Sequence, residues 1–182
     1  MKDTVVINLF AGPGAGKSTG AAYIFAALKM KGIDCELVTE FAKDKVWEQS
    51  DPLLFKSQLY ILGEQSWRMA RCNGKVQVIV TDSPLILQTL YCNPEEPWYE
   101  DIENVIKKEF NKYNNLNYFI IRRKEYNPNG RNQTEQQAVE LDNTLINMLE
   151  KFDIPYEVIY GNRDGYDAIV DKVIKMFWNK EE

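Results

Sequence analysis

Residues 11–19 (AGPGAGKST) are the part of the chain whose residue types and spacing most directly suggest chemistry. Gly14 and Gly16 can adopt positive φ angles and leave room for the backbone N–H groups to turn inward around a phosphate. Lys17 would reach the β- and γ-phosphates, and the hydroxyl of Ser18 would ligate Mg²⁺. The segment predicts a phosphate-binding loop (P-loop) for a nucleoside triphosphate. Its predicted binding residues are Gly12, Pro13, Gly14, Ala15, Gly16, Lys17, Ser18 and Thr19.

The flanks of this loop agree with the prediction. Residues 4–10 (TVVINLF) are β-branched and apolar, as in a strand buried on both faces, and residues 17–30 are rich in alanine and leucine, which favour helix. The start of that helix would add the positive end of its dipole. The first position, glycine in the strict pattern, is Ala11, a common relaxation. The alternative is a chance glycine-rich turn, which would explain neither flank nor the Lys17–Ser18 pair.

Asp82 is the second candidate, because it follows the apolar strand predicted at residues 76–81 (VQVIVT). In doubly wound sheets, ligands gather at the carboxyl ends of the strands. A carboxylate there could position Mg²⁺ through water or act as general base toward an attacking hydroxyl, and the sequence leaves both roles open. The structural alternative is a helix N-cap, although Ser83 already fits that position.

Three arginines surround a polar stretch at residues 124–133, which has turn chemistry and little to bury. Arg122, Arg123 and Arg131 could close over the nucleotide and neutralise the charge of the migrating phosphoryl group. This predicts an arginine-bearing lid at about residues 123–137, with Arg123 and Arg131 as catalytic residues. The alternative is a solvated loop.

Four further residues follow predicted strands or line a predicted helix face. Glu40, just after the second strand, could bind a substrate hydroxyl or base, or could stabilise the start of the next helix through its dipole. Gln58 and Gln65 lie two turns apart on one helix face and could line an acceptor cleft. Arg163, after the last strand, could pack on an adenine or be an ordinary loop residue.

The hydrophobic pattern places these residues on alternating strands and helices, which predicts a parallel sheet covered on both faces. Strands are predicted at 4–10, 35–39, 76–81, 118–122 and 156–160, and helices at 17–30, 51–73, 98–113, 134–152 and 164–178. Residues 83 and 84 would open one more helix. Trp47, Tyr60 and Trp67 are predicted to be core residues.

Composition limits the classes of function. A chain of 182 residues fits one domain, predicted here over 1–182, and the absence of histidine excludes a Ser-His-Asp triad and histidine-ligated metals. A net charge of −5 argues against nonspecific DNA binding, but it does not exclude a DNA substrate that is held locally. Three widely spaced cysteines are predicted to be reduced core thiols. No segment has the length of a membrane span, and no leader is expected, so a cytoplasmic protein is predicted.

Taken in order, the motifs at 12–19, 38–44, 81–84 and 129–134 resemble those of the P-loop kinases of the nucleoside and nucleotide kinase group. The series looks like small kinase-like ATPases encoded by bacteriophages, some of which phosphorylate 5-hydroxymethyluridine in DNA, and more distantly like ribosylnicotinamide kinase domains. The resemblance implies a three-layer α/β P-loop NTPase fold with five parallel strands in the order 2-3-1-4-5. It also implies ATP with Mg²⁺, an arginine lid, and an acidic residue at Asp82 facing the acceptor. A phage-encoded protein would act in the cytoplasm of its host.

The leading hypothesis is therefore an ATP-dependent phosphotransferase. Its acceptor would be a nucleoside, a nucleotide or a modified DNA base. The alternative is a P-loop ATPase that acts as a nucleotide-dependent switch and has no small acceptor. A GTPase is disfavoured because residues 111–114 (NKYN) lack the final aspartate of the guanine motif.

Overall fold

Five parallel strands form a sheet in the order β2-β3-β1-β4-β5 in the computed structural model, which describes residues 4–122 and 135–178. The strands are β1 Val5–Phe10, β2 Cys35–Val38, β3 Val78–Thr81, β4 Asn114–Ile121 and β5 Glu157–Tyr160. The helices are α1 Lys17–Met30, α2 Phe41–Trp47, α3 Gln58–Ala70, α4 Tyr99–Asn111, α5 Glu135–Lys151 and α6 Arg163–Trp178, with short 3-10 segments at Pro52–Lys56 and Leu85–Tyr91. The predicted α/β fold and strand order are confirmed.

Two apolar cores lie on opposite faces of the sheet. Helices α1 and α6 cover one face, where Ile24, Leu28 and Val173 are buried against β1 and β3. Helices α3, α4 and α5 cover the other face, where Ile106 and Leu149 are buried. All six residues of β1 are buried because this central strand has a layer of helices on each side, which explains its continuous apolar run. The P-loop therefore follows the most enclosed strand of the sheet.

A buried network of amide side chains joins β1 to β4. Asn8 is 1% exposed, and its Nδ2 donates to Oδ1 of Asn115 at 2.8 Å and of Asn117 at 3.0 Å. The two β4 asparagines donate in turn to the backbone carbonyls of Phe110 and Pro155. Strand β4 thus begins at Asn114, four residues before its predicted start, because its polar half is satisfied by amides that a hydrophobic pattern does not reveal.

Two predictions about the segment between β2 and β3 are wrong. The long helix predicted at 51–73 is interrupted at Ser57, between the 3-10 segment and α3, although the Asp51 carboxylate does cap the first part by accepting from the Leu53 N–H. Trp47, Tyr60 and Trp67 are not core residues but are 78%, 44% and 66% exposed. Phe41 is the buried residue of α2, and Ile61, Leu62 and Met69 fill the core-facing side of α3.

The helix predicted after Asp82 and the predicted lid differ in outcome. Residues 83 and 84 open a 3-10 segment, Leu85–Tyr91, and not an α-helix. The lid predicted at about 123–137, with Arg123 and Arg131, lies for the most part outside the described residues. Within 4–122 and 135–178, no helix has the length and apolar character needed to cross a membrane.

Candidate active site

The predicted P-loop connects β1 to α1, and two of its glycines adopt positive φ angles. Gly14 and Gly16 have φ angles of 81° and 107°, a region that glycine adopts without the penalty of a Cβ. Helix α1 begins immediately, at Lys17, and the N–H of Gly20 donates to the carbonyl of Gly16 at 2.7 Å. The first-turn N–H groups of α1, which have no acceptor within a helix of this kind, therefore lie next to the loop.

Two residues from the far end of the chain hold this loop from outside. The hydroxyl of Tyr166, on α6, donates to the carbonyl of Gly16 at 3.1 Å, and its ring lies where a Cβ on Gly20 would be. Gly161, after β5, lies so close to the loop that a Cβ there would be 2.3 Å from the carbonyl oxygen of Ala15. Sequence reasoning missed both contacts, and α6 and β5 thus limit where the loop can move.

Lys17 lies inside the curve of the loop. Its ammonium donates to the carbonyls of Ala11, at 2.5 Å, and Gly12, at 3.2 Å. Burial lowers the pKa of Lys17 below its ordinary value, while the nearby carboxylates of Glu40, Asp82 and Asp142 act in the opposite direction. The side chain is therefore within reach of the loop backbone and surrounded by acidic groups.

Ser18 and Asp82 meet at the carboxyl ends of β1 and β3. The Ser18 hydroxyl donates to Oδ2 of Asp82 at 2.6 Å. Asp82 is 8% exposed, and its buried Oδ1 has no hydrogen-bond partner among the described residues. A buried carboxylate oxygen without a partner is costly unless a ligand uses it.

This donor set fits Mg²⁺, which prefers hard oxygen ligands and is commonly held by one or two protein groups together with substrate phosphates. No group of three or more histidine, cysteine or acidic side chains forms a metal cluster within the described parts of the chain. The 3-10 segment that follows has Pro84 as its N-cap and no side-chain capping hydrogen bond. The N-cap alternative for Asp82 therefore finds no support in these contacts.

Glu40 lies beside Asp82 because β2 and β3 pair in parallel, with Val38 opposite Thr81. Its side chain makes no capping hydrogen bond to α2. Burial raises the pKa of Glu40, the negative charge of Asp82 raises it further, and Lys17 opposes both. Glu40 is therefore a half-buried acid directed at the same rim as Lys17 and Asp82.

The two glutamines predicted to line an acceptor cleft differ in what they contact. Gln65 is 1% exposed and structural, since its Oε1 accepts from the Phe41 N–H at 2.8 Å and its Nε2 donates to the Thr39 carbonyl at 3.3 Å. These bonds fix the backbone on both sides of Glu40. Gln58 donates to the Phe55 carbonyl, whereas its buried Oε1 has no partner among the described residues and stays a candidate substrate contact.

The last candidates occupy the outer side of the loop and the start of α6. Arg122 donates to the Pro13 carbonyl at 2.8 Å and pairs with Asp142 of α5 at 2.7 Å. Arg163 has an 80% exposed side chain and is 3.5 Å from the carboxylate of Asp167. Thr19, in the first turn of α1, is exposed at the surface. Asp142 was missed by sequence reasoning, since an aspartate within an amphipathic helix looks like part of a solvated face.

Comparison with known proteins gives a family and a set of similar folds. A family model described as an AAA domain matches residues 6–164. No curated protein sequence matches the chain. The structure of NadR protein in complex with NR has a TM-score of 0.70 at 16% identity, over 96% of this chain and 51% of that one. NadR in complex with NAD and AMP-PNP gives 0.68 at 15% identity, over 96% and 50%.

Thymidylate kinase from Ehrlichia chaffeensis is similar with a TM-score of 0.59 at 11% identity, over 95% of this chain and 98% of that one. The chain spans about half the length of the NadR chains that it matches. At these identities the likeness is one of fold.

Proposed function

The chain belongs to the AAA domain family, and from this premise and the site geometry we propose that it is a P-loop kinase. It would move the γ-phosphate of ATP to a nucleoside, a nucleotide or a modified DNA base such as 5-hydroxymethyluridine. The observation that carries the proposal is the Ser18–Asp82 contact beside the loop, with one buried carboxylate oxygen of Asp82 left for a ligand. The ligands named for NadR (NR, and NAD with AMP-PNP) and the name thymidylate kinase support an acceptor of the nucleoside or nucleotide type.

In the proposed reaction, the acceptor oxygen forms a bond to the γ-phosphorus while the bond from that phosphorus to the β–γ bridging oxygen breaks, and ADP leaves. The loop amides and Lys17 hold the β- and γ-phosphates, which orients the γ-phosphorus toward the rim that carries Glu40 and Asp82. The proton of an acceptor hydroxyl passes to Asp82 if this residue is the base. Glu40 and the Oε1 of Gln58 would accept hydrogen bonds from the acceptor, and Arg163 would lie near the adenine.

Ser18 and Asp82 are the residues that would hold Mg²⁺. The cation, when bound, would neutralise charge that develops on the β- and γ-oxygens. Arg123 and Arg131 are proposed to supply further positive charge from the lid. Asp82 has two proposed roles, base and magnesium positioner, which a substitution can separate.

The function is tested by incubating the protein with ATP, Mg²⁺ and a panel of acceptors. The panel contains nucleosides, their monophosphates, nicotinamide riboside and DNA with 5-hydroxymethyluracil. A kinase consumes ATP slowly alone and much faster with its acceptor, and mass spectrometry finds phosphate on that acceptor. ATP hydrolysis that no acceptor accelerates would instead favour the nucleotide-dependent switch.

Two substitutions test the site. Lys17→Ala should abolish the thermal stabilisation by ATP, whereas Lys31→Ala, an exposed lysine at the end of α1, should leave it unchanged.

Asp82→Asn should preserve ATP binding and lower transfer by about 10²–10⁴-fold if Asp82 is the base. If Asp82 instead positions the metal, the same variant should need more Mg²⁺ and recover transfer when Mg²⁺ is raised. Full transfer by Asp82→Asn at low Mg²⁺ would contradict both roles.

A further inference from the structure

The outer side of the P-loop carries a pair of charged residues for which the proposed mechanism has no use. The Asp142 carboxylate accepts from the Gly12 N–H at 2.5 Å through Oδ1 and from the Arg122 guanidinium at 2.7 Å through Oδ2. The guanidinium also donates to the Pro13 carbonyl at 2.8 Å. The side chains of Arg122 and Asp142 are only 11% and 19% exposed, so this ion pair is held in a fixed geometry.

These bonds determine which way two loop peptides face. In a trans peptide the C=O and the following N–H point in opposite directions, and the described residues contain no cis peptide. Because Asp142 binds the Gly12 N–H, the Ala11 carbonyl points to the other side, where the Lys17 ammonium binds it at 2.5 Å. The first bond thus fixes the carbonyl that receives Lys17.

The second peptide follows the same rule. Arg122 binds the Pro13 carbonyl, so the Gly14 N–H points away from Arg122. Since Arg122 and Asp142 are bonded to each other, they lie on one side of the loop, and the Gly14 N–H faces the opposite side, which is the side of Lys17. Gly14 has a φ angle of 81°, and its lack of a side chain would let this peptide rotate if nothing held it.

We propose that Asp142 and Arg122 are positioning residues for the nucleotide, because together they orient the Ala11–Gly12 and Pro13–Gly14 peptides of the phosphate loop. Arg122 then acts from outside the loop on its backbone and is not one of the arginines that neutralise the migrating phosphoryl group. This inference rests on the proposed function only in requiring that the loop binds ATP. It makes ATP affinity depend on a carboxylate even though ATP is itself an anion.

Asp142→Asn separates this proposal from a purely electrostatic effect. The asparagine Oδ1 can still accept from the Gly12 N–H, but its NH₂ group would face the Arg122 guanidinium, donor against donor. Removal of a negative charge near the loop would by itself tighten the binding of ATP. Loss of the pair should instead raise the dissociation constant for ATP with Mg²⁺ about tenfold, the effect of losing one charge-assisted hydrogen bond.

Arg122→Gln and the double variant Arg122→Gln/Asp142→Asn complete the cycle. Both single variants remove the same pair, so the double variant should bind ATP about as weakly as either one. Glu103→Gln is the matched control, because it removes another ion pair of α5, Glu103–Lys151 at 2.6 Å, away from the loop, and should leave ATP affinity unchanged.

Calorimetric titration with ATP and melting curves without it should be measured for each variant. A merely structural role would lower the melting temperature and leave the dissociation constant of the folded fraction unchanged, which would overturn the proposal. Equal or tighter binding by Asp142→Asn, or additive losses in the double variant, would overturn it as well.

If the wild-type protein does not bind ATP, the proposed function fails and this inference fails with it. If the wild type binds ATP and the Asp142 and Arg122 variants bind it equally well, this inference alone fails.

Discussion

Glu40 is a candidate substrate contact whose negative charge lowers the stability of the fold. It is half-buried next to Asp82, and its pKa is raised by burial first and by the negative charge of Asp82 second. A carboxyl whose pKa is higher in the folded state than in the unfolded chain contributes stability below its unfolded pKa, and that contribution is lost as the pH rises through the folded pKa. Ionised Glu40 therefore lowers the free energy of unfolding at neutral pH.

Glu40→Gln is accordingly expected to raise the free energy of unfolding at pH 8 and to raise it less at pH 4.5, where a larger fraction of the wild-type carboxyl is protonated. Urea denaturation across this pH range measures the difference. Glu100→Gln, at an exposed position of α4, is the matched control for the loss of one carboxylate at the surface. A gain in stability that is the same at every pH would contradict the assignment to the carboxyl charge.

The sequence could predict the residues of the site that lie in local motifs. Lys17, Ser18 and Asp82 each follow a buried strand, where spacing alone indicates their place at the sheet edge. Asp142 and Tyr166 reach the loop from helices more than 120 positions away in the chain, as the contacts to Gly12 and Gly16 show. Their positions depend on how α5 and α6 pack on the sheet, and the periodicity of either helix carries no information about that contact.

The junction between β5 and α6 meets the P-loop at Gly161, and here the two elements leave no room for a side chain. A Cβ at Gly161 would also be 3.0 Å from Cγ2 of Ile120. Gly161→Ala should therefore displace either the β5–α6 junction or the loop, weaken ATP binding about tenfold or more, and cost about 1–3 kcal/mol in stability.

Gly63 provides the matched glycine control for ATP titration and denaturant unfolding. It lies within α3, and nothing lies within 4 Å of a Cβ added there. Gly63→Ala should raise stability by about 0.5–1 kcal/mol through helix propensity and leave ATP binding as it is. Unchanged ATP affinity in Gly161→Ala would mean that the loop tolerates the displacement.

Elements with a simple apolar pattern were predictable, and those stabilised by polar contacts were not. Helix α1 begins and ends at Lys17 and Met30 as predicted, because alanine and leucine favour helix and Gly32, with a φ angle of 79°, follows its end. The first half of β4 was missed because its asparagines are satisfied within the sheet. The break at Ser57 has no glycine or proline to mark it.

The three cysteines are distributed over both apolar cores, so the rate at which each thiol is labelled measures the opening of its core. Cys35 lies in the core beneath α1 and α6, whereas Cys72 and Cys92 lie in the core beneath α3, α4 and α5. All three are free and buried, as predicted, and burial raises the pKa of Cys35 to about 11. At pH 8 the Cys35 thiol should react with an aromatic disulfide about 100-fold more slowly than in the unfolded chain, and Cys72 and Cys92, whose pKa values burial also raises, should also react more slowly.

Labelling followed by mass spectrometry resolves the three sites. If the two cores open together, Cys35 should be labelled at the same rate as Cys72 and Cys92 under conditions where unfolding limits the reaction. Rapid labelling of one cysteine in the native protein would contradict its burial. Different rates for the two groups would mean that the faces of the sheet unfold separately.

The amide network of Asn8, Asn115 and Asn117 affects the register in which β1 pairs with β4. A strand composed only of valine, isoleucine and leucine could slide by two residues along its neighbour and still bury apolar side chains, at little cost. With Asn8 in the middle of β1, such a slip would leave several enclosed amides without partners, at about 1–3 kcal/mol each. The asparagines thus oppose misaligned pairing of β1 with β4, and so keep the P-loop that follows β1 in register with Arg122, which follows β4.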